Sequence, residues 1–273
     1  MTEEKLAIIG VGNMGGAILE GVMKAGLFRP SKIVLCDLVS ERAQTAAAKY
    51  GVSVSQTASE AAHEATTVLL AVKPQTMADC LAGLKTTVTP SQLIISIAAG
   101  ITTDFIAGRL SAGARVLRVM PHTPALVGAG VSALCAGARA TENDMAHTEK
   151  IFSALGKVYR FHESLMDAVT AVTGSGPAYL FLFAEHLAQA AINCGLPEKE
   201  APGLIAQTLF GASKLLIESD EPPSVLRARV TSPGGTTEAA VATLKERGFG
   251  ESILAAVSSA LKRAKELGGT KKS

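Results

Sequence analysis

The chain has no tryptophan, and aromatic side chains make up only 4% of its 273 residues. It therefore lacks the aromatic surface on which single-stranded nucleic acid stacks. It also has little excess charge: the formal net charge is +2 and the pI about 8.3. That is too mild to recruit a polyanion, and no nucleic-acid partner is expected. The four cysteines, Cys36, Cys80, Cys135 and Cys194, include no C-x-x-C pair. This argues against a zinc site or disulfide framework and predicts small buried hydrophobes, with no metal. No apolar run reaches the roughly 18 residues of a membrane span; the longest, such as 92–101 and 178–183, fall well short. Glu3 and Glu4 precede an apolar stretch too short for a signal peptide, so the chain is expected to be cytoplasmic, with no membrane partner. The basic "KKS" at the C-terminus reads as a solvated tail.

What the chain does have is hydrophobic residues, 48% of the total, in a pattern that changes part-way along. From Lys5 to about Phe161 short β-type runs ("LAII", "KIVLC", "TTVLLAV", "QLIISIA", "RVLRVM", "VSALC", "VYRF") alternate with helical stretches near 13–25, 40–50, 58–64, 76–84, 102–110 and 141–155. Such alternation predicts βαβ units around a mainly parallel, doubly wound sheet, an α/β Rossmann domain over residues 1–162. After Phe161 only helices are expected, near 164–172, 177–194, 198–218, 223–230, 236–247 and 250–267. An all-helical domain over 163–273 follows, with no long linker near Glu163, so the two are expected to pack and leave a cleft between them. Helices such as "YLFLFAEHLAQAAI" and "ILAAVSSAL" are apolar over much of their circumference. One small helical layer cannot bury that surface, so a partner subunit is expected to cover it.

The stretch "IIGVGNMGGAI" places Gly10, Gly12 and Gly15 in a G-x-G-x-x-G pattern between an apolar run and a helix. In that setting the first glycine permits a tight turn, the second lets backbone approach a pyrophosphate, and the third lets the helix lie close to the sheet. The helix N-terminus faces the anion. Asp37 ends the next strand, 22 residues beyond Gly15, at the spacing of an acid that accepts from an adenosine ribose 2′-hydroxyl and repels a 2′-phosphate. It favours NADH over NADPH unless Arg42, in the following helix, folds back; as a plain turn residue it would look the same.

The set "GVGNMGGAI" (10–18), "AVKPQ" (71–75), "SIAAGI" (96–101), "VMPHTPALV" (119–127), "VTGSGPAYLF" (172–181) and "VTSPGGTTEAAV" (230–241) resembles the pyrroline-5-carboxylate reductase family over nearly the whole chain. The resemblance implies a Rossmann domain joined to a helical dimerisation domain, as a homodimer or larger homo-oligomer with the active site completed between subunits. It also implies the reaction: NADH or NADPH reduces the cyclic C=N carbon of 1-pyrroline-5-carboxylate to give L-proline. By resemblance Asn13 and Met14 join the glycines at the cofactor, and Val72, Lys73, Pro74, Ala98, Ala99 and Gly100 line its nicotinamide side. The substrate falls to Ser175 and Gly176 and to the turn Ser232, Pro233, Gly234, Gly235, Thr236 and Thr237, with Thr237 as the catalytic hydroxyl beside the ring nitrogen.

The residue types suit that chemistry. A cyclic imine bearing a carboxylate needs an anion seat and a donor near its nitrogen. A glycine turn opening a helix offers N–H groups and a dipole for the first, a threonine for the second. Plainer readings stand beside these: Thr236 and Thr237 as N-caps, 174–177 as a helix kink, Lys73 as a solvated lysine. His122 stands where the family usually has asparagine, and no titrating role transfers to it. A hydroxyacid dehydrogenase of the 6-phosphogluconate type shares the architecture but needs a catalytic lysine on the helix after a glycine turn. No lysine occurs between Lys157 and Lys199. A non-catalytic dinucleotide sensor would have no need of two anion-seating turns.

Overall fold

The computed structural model describes residues 4–111 and 113–269; Glu3 and the "KKS" tail lie outside the described residues. The strands are β1 (Leu6–Ile9), β2 (Ile33–Cys36), β3 (Ser53–Val54), β4 (Thr67–Leu70), β5 (Leu93–Ser96), β6 (Arg115–Pro121), β7 (Gly130–Ala136) and β8 (Gly156–Arg160). Between them run helices α1 (Asn13–Lys24), α2 (Ser40–Tyr50), α3 (Ala58–His63), α4 (Met77–Leu84), α5 (Thr103–Ala107) and α6 (Glu142–Ser153). The sheet order is β3-β2-β1-β4-β5-β6-β7-β8, parallel throughout except for the β6–β7 pair. The α/β doubly wound class expected from the alternation is the class observed.

Strand β3 was not expected. Its two residues are exposed and carry no apolar run, so period-2 patterning had nothing to register; pairing with β2 alone defines it.

The strands are buried on both faces, which is why they read as continuous hydrophobic runs. Leu6 and Ile8 of β1 turn toward a core that contains Ile18, Leu19 and Val22 of α1 and Phe152 of α6. Ala7 and Ile9 turn to the opposite core, with Ala62 of α3 and Leu81 and Leu84 of α4. Each fully buried Leu, Ile or Phe contributes about 1.5–3 kcal/mol, and the two layers hold the strand ends rigidly.

The C-terminal helices are α7 (Met166–Val169), α8 (Gly176–Asn193), α9 (Ala201–Glu218), α10 (Pro223–Arg229), α11 (Thr236–Glu246) and α12 (Phe249–Gly269). The single helix expected over 164–172 is instead three pieces: a 3₁₀ turn at Glu163–Leu165, α7, and a π-helical turn at Thr170–Gly174. All three are helical by sequence pattern, and only the hydrogen-bond registers differ. By contacts the chain divides into one compact unit of Met1–Ser175 with Ala260–Ser273, and a second of Gly176–Ser259. In the second unit α8 packs on α9, yet Ala201 and Pro177 are its only buried residues. Leu180, Phe181, Leu182, Leu204 and Phe210 are all more than half exposed. Among the described residues no helix is long and apolar enough to cross a membrane.

Candidate active site

Strand order reverses between β1 and β4, whose neighbours run outward in opposite directions. The carboxyl edge at such a switch point is where open α/β sheets bind ligands. The chain places its glycine loop there, between β1 and α1. Gly10 has φ +98°, and a Cβ on it would lie 2.5 Å from the Ala71 carbonyl oxygen; one on Gly15 would lie 2.0 Å from the Gly10 oxygen. Both positions exclude a side chain because backbone passes too close. Gly12, the N-cap of α1, differs: nothing lies within 4 Å of its Cβ position. That space adjoins the first turn of α1, whose N–H groups have no intrahelical partner, and its shape suits a dinucleotide pyrophosphate.

A groove of about 1150 Å³ runs from this loop along α1. Of the sequence-predicted cofactor residues it brings together Gly12, Asn13, Met14 and Lys73. Gly10 and Gly15 shape the loop from beneath. Lys73, exposed, is the N-cap of the 3₁₀ turn that begins at Pro74 after β4, with Val72 before it half-buried. Residues 98–100 follow β5 outside this groove; Ala98 is buried in the core, Ala99 is half-buried and Gly100 has φ +75°. Residues 125–128, after β6, line the groove as well. Their position after a strand's carboxyl end was the available signal, and no cofactor role was read into them.

Asp37 does not line the groove. Its Oδ2 accepts the Val11 N–H at 2.6 Å and its Oδ1 the Val39 N–H at 2.8 Å, so it ties the glycine loop to the turn before α2. Arg42, expected to reach ligand only if its loop folded back, lines the groove directly together with Val39. His122 follows β6, and its Nδ1 accepts the Val131 N–H at 3.1 Å. Burial lowers its pKa below the usual histidine value, so the ring is neutral with its proton on Nε2.

The other predicted residues occupy two turns. Ser175 closes the π turn, donating its N–H to the Thr170 oxygen at 3.0 Å, and Gly176 and Pro177 open α8. The break between helices read at 174–177 is a change of helical register, since Ser175 itself keeps right-handed helical angles. In the turn before α11, Gly234 has φ +68°, Gly235 donates to the Ser232 oxygen, and the Glu238 carboxylate accepts the Gly234 N–H at 2.8 Å. Pro233 and Ser232 are exposed. The N-cap is Gly235, with no side-chain cap, and Thr236 and Thr237 are the first two helical residues. The capping alternative for the threonines is thereby corrected: their hydroxyls are not spent on the helix end.

Cys36 and Cys135 are buried as expected, but Cys80 is only half-buried and Cys194 is exposed at the end of α8. None is disulfide-bonded, and among the described residues no cluster could hold a metal.

A family model described as pyrroline-5-carboxylate reductase dimerisation matches residues 163–267, and one described as NADP oxidoreductase, coenzyme F420-dependent, matches residues 5–100. A pyrroline-5-carboxylate reductase of Methanosarcina acetivorans is 40% identical over 268 residues, covering 98% of this chain and 99% of the relative. The chain belongs to the pyrroline-5-carboxylate reductase family. The solved reductase of Coxiella burnetii superposes with a TM-score of 0.91 at 35% identity, covering 97% of this chain and 99% of that one. A Plasmodium falciparum family member, solved with NADP bound, gives 0.88 at 28% identity, covering 98% and 100%. The Rossmann sheet, the nicotinamide cofactor and the helical dimerisation region are thus properties of the family to which the glycine groove and both turns belong.

Proposed function

We propose that this chain reduces 1-pyrroline-5-carboxylate to L-proline, the last step of proline biosynthesis, with a reduced nicotinamide dinucleotide as hydride donor. The observation that carries the reading is the pairing of two glycine-built anion seats in a chain of this family. One is the loop Gly10–Gly15 at the switch point of the sheet; the other is the first turn of α11 beyond Gly235, since within the preceding turn the Gly234 N–H goes to the Glu238 carboxylate and the Gly235 N–H to the Ser232 oxygen. A bound nicotinamide would supply the hydride; the residues of this chain bind and orient the substrate. Gly10, Gly12, Asn13, Met14 and Gly15 hold the pyrophosphate and its flanks. Val72, Lys73, Pro74 and residues 98–100 border the nicotinamide. The N–H groups of the first turn of α11 take the substrate carboxylate, helped by the helix dipole. Thr237 would orient the imine through a hydrogen bond from its hydroxyl to the ring nitrogen and relay a proton to it from solvent, with Ser175 and Gly176 on the same substrate.

We assign the dinucleotide-binding role to 1–162 and the substrate and dimerisation roles to 163–273. Asp37 keeps one lone pair on each oxygen beyond its two backbone bonds, and its charge disfavours a 2′-phosphate, so NADH is the proposed cofactor; Arg42 in the groove is the opposing influence. A homodimer is supported by the second unit, whose apolar side chains are exposed in the single chain and bury almost nothing. Too little core is present for that unit to hold its fold alone. The free thiols fit a cytoplasmic location.

The test is the initial rate of nicotinamide oxidation with 1-pyrroline-5-carboxylate, comparing NADH and NADPH at equal subsaturating concentrations. Turnover with NADH faster is expected. Turnover with NADPH faster would overturn the Asp37 assignment, and no turnover with either would overturn the reaction.

A further inference from the structure

The most heavily buried charge among the described residues is one that the proposed chemistry does not use. Arg118, on β6, has a side chain only 3% exposed. Its guanidinium meets Asp167 of α7 at 3.2 Å and Glu163 of the preceding turn at 3.7 Å. Glu163 in turn accepts both the backbone N–H of Thr103, at 2.8 Å, and its hydroxyl. Thr103 is the first residue of α5, three residues beyond Gly100.

A second contact fixes the same segment further along. Residues 118 and 120 point to one face of β6, and beside them in register lie Cys135 and Ala133 of β7. Met166 covers this face, fully buried against Ala133 and Cys135 with Met120 and Val169 around it. At the far end of the π turn, a Cβ on Gly174 would lie 2.8 Å from the Met120 Cε. The stretch 163–174 is therefore pinned to β6 twice, by Asp167 on Arg118 and by Gly174 on Met120. The π turn between the pins, a register rare outside functional segments, delivers Ser175.

We infer that Arg118 is a positioning residue: through Glu163 it holds the 98–103 loop, and through Asp167 it holds the segment ending at Ser175, so that one buried guanidinium keeps the two loops in register. This deepens the function proposed above and rests on it, because those loops are assigned there to nicotinamide and substrate. Burying an ion cluster is a poor way to gain stability, since the desolvation cost offsets the attraction. What the fork of a guanidinium adds over an apolar side chain is direction: it hydrogen-bonds Asp167 and lies in ion-pair contact with Glu163, two carboxylates one helical turn apart on the same stretch. Lysine keeps the charge and loses the fork.

The experiment compares the full-length chain with Arg118→Lys and with Asp167→Asn, a near-isosteric change on the half-exposed partner that protects the test if the lysine variant fails to fold. The readouts are NADH affinity, kcat and KM for the imine, the primary deuterium isotope effect from NADH labelled at the transferred position, and hydrogen exchange at the Ser175 amide. The expected result is NADH affinity unchanged within about twofold and kcat lowered by about 100-fold, the size of effect that a misplacement of about 1 Å produces. The isotope effect rises as hydride transfer becomes limiting, and Ser175 exchanges faster. Lower thermal stability with kcat, isotope effect and Ser175 exchange unchanged would overturn the inference and leave Arg118 a purely structural ion. Absence of imine turnover by the unaltered chain would overturn the inference together with the reaction on which it rests, and is distinguished by the wild-type assay alone.

Discussion

Two glycines three residues apart make opposite predictions. A methyl group at Gly15 would stand 2.0 Å from the Gly10 carbonyl oxygen and 3.2 Å from the Ala71 Cβ. Backbone on one side and a core strand end on the other leave it no room, and overpacking of this kind costs about 1–3 kcal/mol or more. For a chain of this size about 2–4 °C of melting temperature goes with each kcal/mol, so Gly15→Ala is expected to melt roughly 2–12 °C lower. Gly12→Ala meets no atom within 4 Å, and the backbone angles there, φ −74° and ψ −167°, are open to alanine. Its cost is limited to the weaker N-cap, at most about 1 kcal/mol. Yet its methyl points into the space assigned to the pyrophosphate, and NADH affinity is expected to fall at least about tenfold, the equivalent of about 1.4 kcal/mol. Thermal melts of the ligand-free variants and calorimetric titration with NADH separate the two. A Gly12→Ala protein that binds NADH as the parent does would refute the placement of the dinucleotide. A Gly15→Ala protein with an unchanged melting temperature would refute the packing argument.

Thr237→Val removes a hydroxyl that makes no helix cap, so folding and NADH affinity are expected to hold. Imine turnover should fall about 10- to 100-fold, the worth of one hydrogen bond to a charged group; equal loss of NADH affinity would put Thr237 at the wrong ligand. His122 has a lowered pKa because burial disfavours its charge, and its Nδ1 is committed to the Val131 N–H. Below about pH 6.5 the unfolded chain takes up a proton that the folded chain resists. This contribution to stability is therefore complete above that pH and is lost on acidification. His122→Asn should flatten the melting temperature between pH 7.5 and 5.5, and an unchanged slope would count against it. Burial raises the thiols of Cys80 and Cys135, to about 11 and about 12, so at pH 8 a thiol reagent should leave both unmodified until denaturant is added. Labelling of Cys135 in the native protein would contradict its burial.

Much of this protein is readable from its order of residues. The glycine loop, the strand runs that follow it and the all-helical C-terminal part are local patterns, and local patterns survive in sequence because the chain must satisfy its backbone and bury its apolar faces segment by segment. The same holds for the two glycine turns: a positive φ at Gly10 or Gly234 is a demand that sequence meets with one residue type. What was illegible depended on groups far apart in the chain. Strand β3 exists only through its pairing with β2. The π turn is set by a register that helical composition does not encode. Asp37 bonds to Val11, 26 positions earlier, and so serves the loop's shape first, while Arg42 stands in the groove that the spacing had given to Asp37. Arg118, Glu163, Asp167 and Thr103 carry no motif at all. Sequence determined where glycine turns open helices, because that property resides in backbone N–H groups and glycine; tertiary structure decided which charges hold those segments in place, because a buried ion pair is defined by distance through space and not along the chain.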